Sequence, residues 1–200
     1  MEVSSDRNAM KWKAATRVAL IALLAALAMN ALIGIIIVLK GDFGDTEGKL
    51  LGTTFGLALF TVLAIPSTVQ LGRGRFYALS GFGISVSVIA FILAVSAIWS
   101  DGAFEDVFLT KLMVTFGVMA FASNHAALLL LASATPKVIK VTLFATITML
   151  VVIAVALITS VWLEDLPKEI ARPLTVFAIL DVLGSMAVPM LSKLNRLSAS

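Results

Sequence analysis

The chain has no cysteine and a single histidine, His125. The first absence excludes disulfides, thiolate metal sites and cysteine nucleophiles. The second excludes a histidine-rich metal centre and a bis-histidine haem within one chain. Charge is scarce too: 14% of the 200 residues are Asp, Glu, Lys or Arg, against about 25% in soluble domains. No polar stretch exceeds about 17 residues, which leaves no room for a second globular domain. The signatures H-E-x-x-H, G-x-x-x-x-G-K-[ST], G-x-G-x-x-G after a strand and G-x-S-x-G are all missing, so an enzyme is the weakest reading. Every lysine lies at the end of an apolar run or between runs, so none could hold a retinal-type chromophore in mid-span. No cofactor or metal is expected.

What the chain has in quantity is apolar sequence: 60% of residues are hydrophobic, with a mean hydropathy of +1.05. The apolar residues fall into six runs: 18–39, 50–71, 76–99, 112–134, 141–163 and 173–191. About 20 helical residues cross a hydrocarbon core of about 30 Å, so each run is long enough to span. The organisation expected is a basic segment at 1–17 with Trp12 at headgroup level, a transmembrane domain at 18–192, and a short polar end at 193–200. Ala26-Leu27-Ala28 imitates a signal-peptide cleavage site, but the apolar run continues past it for about eleven residues, so an uncleaved first span is expected. Ala22, Ala26, Asn30 and Gly34 recur every fourth position there, a small-residue stripe suited to close helix packing. Gly52 and Gly56 form a weaker signal of the same kind in the second run.

Loop charge alternates. The first segment, the second loop (Arg73, Arg75), the fourth (Lys137, Lys140) and the last segment (Lys193, Arg196) are basic. The other loops carry Asp42, Asp45 and Glu47, then Asp101, Glu105 and Asp106, then Glu164, Asp165 and Glu169. The net charge of +3 therefore marks topology and not nucleic acid; the positive-inside rule puts both termini on the cytoplasmic side. The short sequence Leu71-Gly-Arg-Gly-Arg75 is read as a cytoplasmic turn, not a phosphate cradle.

Runs two, four and six begin alike, with KLLGTTFGLALF, KLMVTFGVMAF and RPLTVFAILDV. Aligning Thr54-Phe55, Thr115-Phe116 and Val176-Phe177 gives a constant offset of about 61 residues. Trp99 and Trp162 close runs three and five. The fold class expected is all-α: a polytopic six-helix membrane bundle built as three tandem helical hairpins of about 61 residues.

Against this apolar background a few polar residues stand out. Asp181 sits near the middle of the sixth run with no basic residue within a turn, where an ionised carboxylate costs at least about 2.5–3.5 kcal/mol. It is either a protonatable or cation-binding group or a hydrogen-bonded helix pin. Ser185 follows one turn on, and Pro189 leaves the Ser185 carbonyl without its helical hydrogen bond. His125 reads as a proton-relay partner or as a neutral histidine bonded to a facing helix. Asn30 and Asn124 read as ligands or, more simply, as bridges between helices. Counting inward at 1.5 Å per residue puts Asn30 and Asp181 at one level and Asn124 and His125 roughly 8 Å deeper, two adjacent polar layers.

The sixth run with its flanks (RPLTVFAILDVLGSMAVPMLSKL), the segment NHAALLLLA and the loop GDFGDTEGKLLGTT resemble a family of bacterial six-span integral membrane proteins known only as uncharacterised membrane proteins. In that family the last span similarly runs through Ile-Leu-Asp-x-x-Gly to a proline and a basic end. The family often carries a histidine near that end, where this chain has Ser192-Lys193. The resemblance implies six spans and a bacterial inner membrane, singles out Asp181, and carries no activity.

Two functions remain open. One is a small transporter or channel for an ion or small polar solute, with Asp181, His125, Asn124, Asn30 and Ser185 lining its path. The other is a non-catalytic scaffold or accessory subunit of a larger membrane complex. The partners expected are the lipid bilayer and either further copies of the chain or other membrane subunits, with no nucleic acid.

Overall fold

The computed structural model describes residues 17–18, 20–21, 23–25, 27–37, 39, 44–100, 106–131, 137–164 and 168–197, without the side chains of 168, 170 and 193–197. All its regular elements are helices: α1 (Leu23–Ile37), α2 (Asp45–Gly72), α3 (Tyr77–Trp99), α4 (Val107–Leu130), α5 (Lys137–Leu163) and α6 (Lys168–Leu197). The last five are long and apolar enough to cross a membrane.

Several helices outrun the apolar stretches that announce them. α4 starts at Val107, five residues before its apolar run, because the Asp106 side chain accepts from the backbone N–H groups of Phe108 (2.9 Å) and Leu109 (3.2 Å). That cap satisfies donors of the first turn and sets the start regardless of hydropathy. α5 takes Lys137 and Lys140 into its first turn, and α6 begins at Lys168 and continues through Pro173 and Pro189. Leu71 to Arg75 is a helix stop. The N–H of Gly74 donates to the Leu71 carbonyl and that of Arg75 to the Gln70 carbonyl, with Gly74 at φ +68°. These two bonds satisfy carbonyls at the end of α2, and glycine takes the left-handed position at no steric cost.

Contacts at the helix ends fix alternating directions for α2 to α5. At one end Trp99 donates to the Thr53 hydroxyl (2.9 Å) and Trp162 to the Thr115 hydroxyl (3.0 Å), while Lys111 pairs with Glu164 (2.6 Å). At the other end Gln70 donates to the Ala127 carbonyl (3.1 Å) and Arg73 to that of Leu131 (3.4 Å). Much of the interior is small or polar: Ala90, Ala120, Ala127, Ser67, Ser80 and Asn124 are all buried, beside a few larger aliphatic residues such as Val86, Leu150 and Val188. Large aliphatic and aromatic side chains such as Phe144, Val141, Val155 and Met190 face outward. This is the distribution of a bundle whose solvent is hydrocarbon, where small residues let backbones approach.

The small-residue signals divide. Gly52 lies against Ile98 and Gly56 against Phe91, so both serve the α2–α3 contact. Within the α1 stripe, Asn30 meets α2, but a side chain at Gly34 would touch nothing within 4 Å among the described residues, so among them that position does not produce the close packing its spacing invites. Ala22 and Ala26 lie outside the described residues.

The hydrogen bond from Lys111, and next its charge, hold the Glu164 carboxyl below its ordinary value of 4.5. The pair therefore contributes stability above that value and loses it as the pH falls through the depressed one. Glu164 is exposed, so the contribution is small and screened. Glu164→Gln is expected to lower the unfolding midpoint slightly at neutral pH and low salt. The difference should vanish in acid and in 1 M salt, as thermal unfolding in detergent would show.

Candidate functional site

The buried positions of α6 form one stripe: Asp181, Gly184, Val188 and Ser192, one helical turn apart. Gly184 permits the closest approach to α5, since a Cβ there would land on the Thr146 side chain. This contact seats α6 and turns Asp181 and Ser185 toward α4.

His125 Nε2 lies 2.8 Å from the Ser185 hydroxyl and 3.9 Å from Asp181 Oδ2. The imidazole is stacked on Phe121, one turn earlier on α4, with ring centroids 5.6 Å apart and planes at 10°. Asp181 is only 8% exposed. Among the described residues its Oδ1 is buried with no hydrogen-bond partner, a state shared only by the neutral hydroxyls of Ser80 and Thr110. The three side chains face a cavity of about 560 Å³ between α4, α5 and α6, whose other lining residues are apolar or glycine. α5 forms its floor, and α4 and α6 barely touch across it. Chemically the site offers one carboxylate, one imidazole and one hydroxyl inside an apolar wall. No third His, Asp or Glu side chain joins them among the described residues.

Asn124 is elsewhere, although it is the chain neighbour of His125. Successive residues on a helix are about 100° apart, so the two amino acids face different partners. Asn124 Oδ1 accepts from Ser67 (2.5 Å), and its Nδ2 donates to Ser87 (2.9 Å), to the Gly83 carbonyl (3.2 Å) and to the Ala120 carbonyl of its own helix (2.8 Å). The amide is saturated and ties α2, α3 and α4 together. Asn30 pairs with Thr54 at 2.5 Å across α1 and α2. Thus His125, Asp181 and Ser185 share one cavity, whereas Asn124 and Asn30 each serve a separate helix contact.

Two buried residues of the α2 network are absent from the sequence reading. Ser67 and Gln70 are fully buried or nearly so, and both bond to α4. Their spacing of three places them on one helix face, which is the signal available in the sequence. Proximity to Arg73 disguises them as the polar end of a span.

No family model, no curated protein and no solved structure matches this chain. The class of the molecule therefore rests on its own architecture. Helices of this length and apolarity, with many small and polar residues inside and large apolar residues outside, define an all-helical integral membrane protein.

Proposed function

We propose that the chain is a small membrane transporter or channel whose solute passes the cavity between α4, α5 and α6, with Asp181, His125 and Ser185 as its polar contacts. The observation that carries this reading is a nearly buried carboxylate, one oxygen unpaired, facing a cavity of ligand size. Ionisable residues within membrane helices mark solute paths when they face a cavity.

The proposed frame is six spans in a bacterial inner membrane with both termini cytoplasmic, arranged as three hairpins. Alternating loop charge supports the orientation. Equivalent end contacts support the repeat: Thr53 and Thr115 each bond the carbonyl four residues back, of Lys49 and Lys111, and each receives a tryptophan indole. These pairs match Thr53, and not Thr54, with Thr115, one residue away from the register of the Thr-Phe alignment.

The competing reading is an accessory subunit of a larger membrane complex. It draws on Asn30 and Asn124, both of which bond helix to helix. Infrared difference spectroscopy of wild type against Asp181→Asn in bilayers separates the two. Transport predicts an Asp181 carboxyl band that titrates or shifts with a particular cation. A band indifferent to pH and to every ion tried would mean a sealed helix pin and overturn the transport reading.

A further inference from the structure

We infer that the α4–α5–α6 cavity takes an amphiphilic primary amine from the bilayer, its ammonium group on Asp181 and its alkyl chain along α5. The inference rests on the transport reading above and names the substrate class for that site.

Charge comes first. Among the described residues no Lys or Arg lines the cavity, so an anion finds no permanent counter-charge, whereas Asp181 Oδ1 is buried without a donor. That oxygen is closed off as it stands, and a turn of the carboxyl about its Cβ–Cγ bond would bring it to the cavity wall. What it lacks is an N–H or O–H group, and a cationic donor forms the stronger bond. A bare calcium or magnesium ion is a poor fit. Calcium takes 6–8 oxygens and magnesium an octahedral set, but the cavity offers one carboxylate and one hydroxyl beside an imidazole.

Shape and polarity add the second half. A volume of about 560 Å³ far exceeds an ammonium group, and apart from the three polar side chains the walls are apolar, including Leu150, Ile153 and Leu157 of α5. Sites for drug-sized molecules occupy about 300–1,000 Å³ with a few placed polar groups in apolar walls. The ligand that satisfies both halves has one donor-rich cationic head and one hydrocarbon body.

The entrance agrees with this. Phe121, Val182 and Met186 on the lining are 52%, 57% and 64% exposed. They lie on the spanning segments of α4 and α6, so part of the cavity rim belongs to the surface those helices present to acyl chains. A solute partitioned in the bilayer reaches Asp181 without crossing water.

The test uses the full chain in phosphatidylcholine nanodiscs with dodecylamine, dodecanol and dodecanoate as probes of equal chain length. Thermal stability and the Asp181 carboxyl band are followed together. Dodecylamine is expected to give a saturable rise in unfolding temperature and a band shift, while the alcohol and the carboxylate leave the band in place. Asp181→Asn, which keeps the side-chain shape, should raise the half-saturating concentration by at least about tenfold. Ala154→Phe, which fills the cavity and spares the carboxylate, should abolish the response. An equal response to dodecanol would make the cavity an acyl-chain slot, and an equal response in both variants would mean partition into lipid; either overturns the proposal. A dimer that gives no amine response would put a second copy in the cleft and overturn it too. If the band titrates with pH or small cations but ignores dodecylamine, the substrate class falls and the transport reading survives. If it does neither, both fall.

Discussion

Asn124→Leu is expected to destabilise the bundle by about 2–3 kcal/mol while leaving the Asp181 carboxyl band unchanged. The substitution keeps the branched outline in a somewhat larger side chain and removes a side chain that bonds α2 and α3 from α4. Bonds between membrane helices average about 0.6 kcal/mol each and reach about 1.7. Three of them, to Ser67, Ser87 and Gly83, account for most of the loss. The remainder comes from the Ser67 hydroxyl, which is fully buried and would keep no partner seen in the structure. Equilibrium unfolding in mixed detergent micelles measures the effect. A loss under about 0.5 kcal/mol would show that packing alone holds these helices and that the polar knot is incidental.

Gly184→Ala should cost about 1–3 kcal/mol, the usual range for overpacking a tight contact. The added methyl would strike the Thr146 hydroxyl and also sit 3.1 Å from its Cγ2 and 3.2 Å from its Cβ. Thr146 cannot easily swing aside, being buried and bonded at 2.9 Å to the Thr142 carbonyl. α6 would have to move away from α5, which changes the walls of the cavity as well as stability. Thr146→Ala should restore most of the loss when combined with Gly184→Ala, giving a coupling above about 1 kcal/mol between the two positions. Strictly additive effects in the same unfolding assay would mean that the helices yield elsewhere and that Gly184 does not set their distance.

The site was legible in part, for identifiable reasons. Asp181, His125 and Ser185 could each be singled out because a polar side chain within a long apolar run has few ways to be satisfied. Depth could be counted along the chain, and the count put His125 roughly 8 Å deeper than Asp181, on the side where Ser185 follows it. Azimuth could not be counted in the same way. Asn124 and His125 have the same depth and neighbouring numbers, yet one closes the α2–α3–α4 knot and the other faces α6. Featureless apolar helices do not reveal which side meets which neighbour, since lipid and a packed helix are equally apolar. The same ambiguity concealed Ser67 and Gln70, whose importance depends on α4 passing beside them.

By itself the sequence determined an all-helical membrane architecture and the approximate limits of its helices. These follow from hydropathy, loop charge and residue type, all of which are local. Tertiary structure alone decided that three of the five polar residues would share a cavity, that Asn124 would be consumed in helix packing, and that Gly184 would bring α6 onto Thr146. Those outcomes depend on helix rotation and crossing. In hydrocarbon these are set by where small residues let backbones approach and where scarce polar groups find partners.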